Sequence, residues 1–169
     1  MAGFVPISGP VIANRHYVEN VLSAENVGIS LPEVVPMTAD LSAMGTLTMP
    51  IWQLLENMEA VITRIGLDKG LRKALTPEMK NHEIRWAQPL TDINGNIKNV
   101  GCKAFLKAIP VNLPGLEQEV GSPIENETRL TVVRYNLFVD GEEMWLIDRL
   151  AGICRINGKD YMSNINSML

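Results

Sequence analysis

Thr128-Arg-Leu-Thr-Val-Val-Arg-Tyr-Asn-Leu-Phe-Val139, then Asp140-Gly141, then Glu142-Glu-Met-Trp-Leu-Ile-Asp148 is the stretch on which the fold turns. β-Branched and aromatic residues fill it, and Asp-Gly supplies the two left-handed residues of a tight hairpin. Strict alternation puts Thr131, Val133, Tyr135, Leu137 and Val139 on one face. It puts Leu130, Val132, Arg134, Asn136 and Phe138 on the other. One face is apolar and the other mixed, so one side meets a core and the other something partly wet. The returning strand region runs from Glu142 to Ile156, and Asn157-Gly158 turns the chain into a polar tail.

The β pattern extends upstream. Asn94-Gly95 joins a strand at 82–90 to a second at 97–109, where Lys103 and Lys107 share a face. Residues 110–126, with Pro114, Gly115, Gly121 and Pro123, read as a polar loop. Asp68-Lys-Gly-Leu-Arg-Lys-Ala-Leu75 reads as a short helix with Asp68 as N-cap and Leu71, Ala74 and Leu75 on its apolar face. Thr76-Pro77 ends it. Residues 51–65 admit two readings. Ile51, Leu54, Leu55, Met58, Ile62 and Ile65 are spaced as a helical stripe, with Thr48 as cap and Pro50 at the start. The run Glu59-Ala-Val-Ile-Thr-Arg-Ile65 is equally rich in strand formers. Local pattern alone leans to the helix.

Two segments look like arms. Residues 1–16, punctuated by Gly3, Pro6, Gly9 and Pro10, read as irregular, with Phe4 and Val5 among their apolar residues. Between Pro32 and Pro50 the only charges are Glu33 and Asp40, among Val34, Val35, Met37, Leu41, Met44, Leu47 and Met49. A loop this apolar needs cover, either from its own core or from another subunit.

Composition narrows the function. The chain has 169 residues, 46% of them hydrophobic and 20% charged, which suits one folded domain over 1–169 rather than a disordered chain. Its net charge of −4 argues against nonspecific grip on nucleic-acid phosphates, and 5% aromatics is thin for a base-stacking platform. There is no basic, apolar leader and no run approaching the roughly 20 residues a membrane helix needs, so neither secretion nor membrane anchoring is expected.

Sites for chemistry are sparse. Cys102 and Cys154 read as buried small hydrophobes in a reducing compartment, and with His16 and His82 alone no tetrahedral zinc site assembles. His82, beside Glu83 at a strand start, is expected at the surface. Gly152-Ile-Cys-Arg-Ile-Asn-Gly-Lys159 only superficially resembles a phosphate loop. Five residues separate its glycines, and Asp160 stands where a hydroxyl belongs. Asn126-Glu127-Thr128 fits the glycosylation pattern, which carries little without a leader. The pairs Glu142-Glu143 and Glu117/Glu119 read as solvated charge. No catalytic residue, cofactor site or metal site is expected, and the chain reads as no enzyme.

The chain resembles the major tail tube proteins of contractile-tailed bacteriophages. The resemblance rests on the hairpin Leu130–Asp148 with its Asp-Gly turn, followed by Ile156-Asn-Gly-Lys-Asp160. Ile29-Ser-Leu-Pro-Glu33, Glu59-Ala-Val-Ile-Thr63 and Gly66-Leu-Asp-Lys-Gly-Leu-Arg-Lys-Ala-Leu75 follow the family's order, and the match runs over about residues 17–162.

It implies a mainly β fold: a small β-sandwich or barrel with one flanking helix and extended arms, whose subunits close into a ring-shaped β-barrel. It favours a strand over 58–66. Sixfold rings would stack into a hollow tube that holds the tape measure protein, conducts DNA without binding it specifically, and contacts the sheath, the baseplate hub or tube initiator, and the tail terminator. Residues 32–50 would then be an inter-ring loop, with Val34, Val35, Met37, Leu41, Met44, Leu47, Met49, Phe4 and Val5 as contact residues. An acidic lumen would let DNA slide, and Glu143 and Asp148 are candidates for that wall. Such a protein would be assembled in the host bacterial cytoplasm and end in the virion. Alternatives are the tube of a type VI secretion system or contractile bacteriocin, and a monomeric β-sandwich ligand-binding module.

Overall fold

Turns and β-branched runs cut the chain into short elements, which a computed structural model describes over residues 6–169. In order they are β1 (Ile7–Ser8), β2 (Ala13–Val18), β3 (Val21–Glu25), β4 (Gly28–Ser30), β5 (Pro36–Ser42), β6 (Thr46–Leu55), β7 (Met58–Ile65), α1 (Lys69–Ala74), β8 (Lys80–Thr91), β9 (Ile97–Pro110), β10 (Glu125–Val139), β11 (Glu142–Asp148), β12 (Ile153–Ile156), β13 (Lys159–Asp160) and α2 (Ser163–Asn166). The protein is mainly β, as its sequence implies. One helix was expected and two are present among the described residues, the second a single turn in the tail.

Every strand pairing is antiparallel, and the main path runs β13-β12-β11-β10-β9-β8-β2-β3. β10 organises the sheet. Its first half pairs with β7, from Glu125 opposite Ile65 to Val132 opposite Met58. Its second half pairs with β11, from Arg134 opposite Asp148 to Val139 opposite Glu142. β9 runs along its other side.

The two halves of β10 bury residues of opposite parity. Thr128, Leu130 and Val132 are buried, and so are Tyr135 and Leu137. A bulge between Val132 and Arg134 accounts for this: Val132 faces Ala108 and Arg134 faces the very next residue, Lys107, leaving Val133 without an opposite residue in β9. The extra residue turns the pleat over and keeps one face inward. Strict alternation therefore mis-assigns this strand. Leu130 and Val132 join Tyr135 and Leu137 in the core, and Val133 is only half-buried. Met58, Ala60 and Ile62 of β7 complete that core with Ile84, Ala104, Leu106, Ala108, Ile147 and Cys154.

Residues 51–65 are not a helix. They hold the end of β6 and all of β7, as the resemblance favoured. Cross-strand pairing decides it: Met58 and Ile62 are buried beside β10 in the sheet, whereas Leu54 is 54% and Ile65 71% exposed, so the helical stripe never forms one face. Of the irregular arm expected over 1–16, residues 1–5 lie outside the described residues, and the rest is partly strand. β1 pairs with β8, and β2 is already in the sheet from Ala13 because its neighbour β8 offers a full row of partners. The helix near residue 70 is as expected: Asp68 Oδ1 accepts from the Leu71 amide at 2.9 Å, and Leu71 and Ala74 are buried.

Candidate functional site

From Pro36 onward the apolar stretch 32–50 is a β-ribbon. β5 and β6 pair only with each other and form their own two-stranded sheet. Opposite residues of antiparallel strands share a face, so the register sorts the side chains. Met37 faces Ile51, Ala39 faces Met49 and Leu41 faces Leu47, which makes one face apolar. Thr38 faces Pro50, Asp40 faces Thr48 and Ser42 faces Thr46, which leaves the other largely polar. On that polar side the Thr48 hydroxyl donates to Asp40 Oδ1 at 2.8 Å. Two turns of chemistry produce this: a period of two along each strand, and Met44-Gly45, both at positive φ, closing the tip.

The ribbon is fixed at its base and uncovered at its tip. The Glu56 amide donates to the Val35 carbonyl at 2.9 Å, and Arg149 Nη2 donates to the Leu55 carbonyl at 3.1 Å. Val34 and Leu55 pack on the core. Trp52, Trp145 and Ile156 line an apolar cleft of about 370 Å³ with Pro32 and Val34 beside them. Beyond that base, Met37, Leu41, Leu47 and Met49 are 43–51% exposed and Met44 is wholly exposed. The predicted contact residues thus divide: Val34 and Val35 belong to the anchored base, while Met37, Leu41, Met44, Leu47 and Met49 stand in solvent. Phe4 and Val5 lie outside the described residues. The signal for the ribbon was present as period-two alternation in Pro36–Ser42 and Thr46–Ile51.

A second bulge sets the relation of Glu143 to Asp148 along β11. Phe138 faces Glu143 and Leu137 faces Trp145, so Met144 is the extra residue, and Glu143 and Asp148 share the outward face despite odd spacing. Neither is solvated free charge. Glu143 takes two hydrogen bonds from Arg155, at 2.6 and 3.0 Å, and these hold its carboxyl below the usual carboxylate range. Asp148 lies 4.0 Å from Arg134, and its Oδ1 accepts from the amides of Leu150 and Ala151. Lys103 and Lys107 stand on the same face, opposite Phe138 and Arg134. This sheet face therefore carries ion pairs together with the cations Lys103 and Lys107.

His82 is not at the surface. It is 2% exposed, and His16 is fully buried beside it. β8 faces His82 inward toward Leu106 and Val18, so its position in the pleat outweighs its polarity. Cys102 and Cys154 are buried and free, and burial pushes both thiols up. Among the described residues no cluster of three His, Cys, Asp or Glu is placed to hold a metal ion, and no helix is long and apolar enough to cross a membrane.

A family model described as phage tail tube protein FII matches residues 12–169. No curated protein matches the sequence. Among solved structures, the chain is similar to one from a sheath–tube complex of an extracellular contractile injection system (PVC) in the extended state. The identity is 16%, coverage is 76% of this chain and 90% of that one, and the TM-score is 0.55. It is also similar to a chain from the sheath/tube terminator of that system, at 18% identity, 81% and 99% coverage and a TM-score of 0.54.

Proposed function

The chain belongs to the phage tail tube protein FII family, and from that premise we propose that it is the repeating subunit of a hollow contractile-tail tube. Six copies form a ring, and rings stack head to tail. The observation that carries the reading is the β5–β6 ribbon: its apolar face is built in register and no other element among the described residues covers it. Burial against a further copy removes that face from water. A contact between different surfaces of identical chains propagates, which suits rings and filaments.

In this reading Met37, Leu41, Met44, Leu47 and Met49 meet the adjoining ring, and Val34 and Val35 hold the ribbon at its root. The sheet face bearing Glu143 and Asp148 lines the channel. There the two acids neutralise Arg155 and Arg134, which would otherwise hold phosphate, and leave Lys103 and Lys107 as the unmatched cations, so DNA passes with only a weak nonspecific hold. The tape measure protein occupies the channel during assembly in the host cytoplasm. The sheath surrounds the tube in the virion, and the baseplate hub and tail terminator close its ends.

Negative-stain imaging of the purified protein tests this. Rings or tubes with sixfold end views are the expected result. A particle that stays monomeric at every concentration and salt overturns it.

A further inference from the structure

Arg64 is 3% exposed and has no buried carboxylate against it. Its nearest acid, Asp68, lies 3.8 Å away with a side chain 63% exposed. The guanidinium instead donates to the Ser23 hydroxyl at 2.8 Å, the Ser23 carbonyl at 3.2 Å and His16 Nδ1 at 3.2 Å. His16 Nε2 lies 2.9 Å from His82 Nδ1, with the two rings within 4° of parallel. Ser23 in turn donates to the Gly70 carbonyl at 2.9 Å. One buried chain of polar groups thus joins β2, β3, β7, β8 and α1.

The donors and acceptors along it have only one arrangement. Arginine donates and never accepts, so His16 Nδ1 is the acceptor and its proton sits on Nε2. That proton goes to His82 Nδ1, which places the His82 proton on Nε2, a buried atom with no partner. A proton added to His16 would meet the Arg64 N–H. A proton added to His82 would meet the His16 N–H. Either event replaces a hydrogen bond by two opposed donors and adds charge beside a buried cation.

We propose that His16, His82 and Arg64 form an acid-released clasp that holds the β2–β3 hairpin and α1 on the body of the protein. What it holds is an edge: β3 ends the main sheet, with Val21 and Leu22 nearly half exposed. The inference goes beyond the tube reading and stands without it.

The electrostatics agree with the geometry. Burial, then His82, then Arg64 lower His16 to about 3. Burial lowers His82 to about 4, with Glu19 opposing and Lys80 and Arg64 reinforcing. Asp68 faces Arg64 and partly offsets its desolvation. Folded-state values below the unfolded 6.5 mean that stability is full above about pH 6.5. It is lost as pH falls from there to about 4 for His82 and to about 3 for His16, the range in which the unfolded chain binds protons that the folded chain refuses.

The test is nitrogen-15 NMR of the full chain between pH 7 and 4, with hydrogen exchange corrected for intrinsic rate. Imidazole signals of both histidines should stay neutral, protonated on Nε2, down to about pH 4.5. Protection of Val21–Glu25 and Lys69–Ala74 should fall while β9 and β10 stay protected. Their opening constant should rise about tenfold per pH unit for each histidine, about a hundredfold for the two together. His82→Gln, which keeps an acceptor for His16, should halve that slope on a logarithmic scale. Titration of either buried imidazole near 6.5 with the fold intact overturns the proposal, as does a wild-type opening constant that ignores pH.

Discussion

β10 and the β5–β6 ribbon are both apolar by sequence and both alternate, yet one buries six of its residues and the other buries none. β10 is flanked by β9 and by β7 and β11, and its inward side chains meet a closed core. The ribbon has no flanking strand at all among the described residues. The difference teaches that alternation tells a strand which residues share a face, and only the neighbours tell it whether that face is dry.

Four substitutions break or sharpen that contrast, ordered by their effect on the free chain. Leu130→Ala, at a site with no solvent exposure, should cost about 2–5 kcal/mol through lost burial and a cavity, read by thermal or urea melts. Gly70→Ala should cost about 1–3 kcal/mol, because a Cβ there would lie 2.2 Å from the Ser23 carbonyl oxygen and force α1 off β3. The loss should appear in the same melts, with exchange protection of α1 falling first. Val133→Ala, on the bulge, should cost less than about 1 kcal/mol. A loss as large as that of Leu130→Ala would mean the bulge does not reverse the pleat. Leu41→Asp should change the free chain by no more than about 0.5 kcal/mol, since its side chain already stands in water. The same change should abolish stacking into tubes by electron microscopy. Normal tubes from Leu41→Asp would mean the ribbon's apolar face is not what joins the rings.

Much of the fold is legible in the residues. Asp140-Gly141 and Asn157-Gly158 turn the chain where expected, both pairs at positive φ, and Asp68 caps the helix it was expected to cap. These features depend on a few adjacent backbone angles. The strand over 58–65 was legible through the family pattern and not through the local spacing, which pointed to a helix. The candidate site was half legible. Its apolar residues were visible as an unusual uncharged stretch, but their sorting into two faces needed the register of β5 against β6. Glu143 and Asp148 were not separable from other surface acids until a bulge at Met144 brought them to one face with their arginines.

By itself, then, the sequence determined the turns, the helix cap and a mainly β chain that carries more apolar surface than an ordinary loop should. Tertiary structure alone decided that Val133 leaves the core, that His16 and His82 meet in its interior, and that the ribbon's apolar face stays open. The physical reason is range. Turn and cap energies are settled within three or four residues, whereas burial depends on partners 40 to 70 positions away, such as Arg64 on Ser23 and His82 on His16, whose separations are 41 and 66.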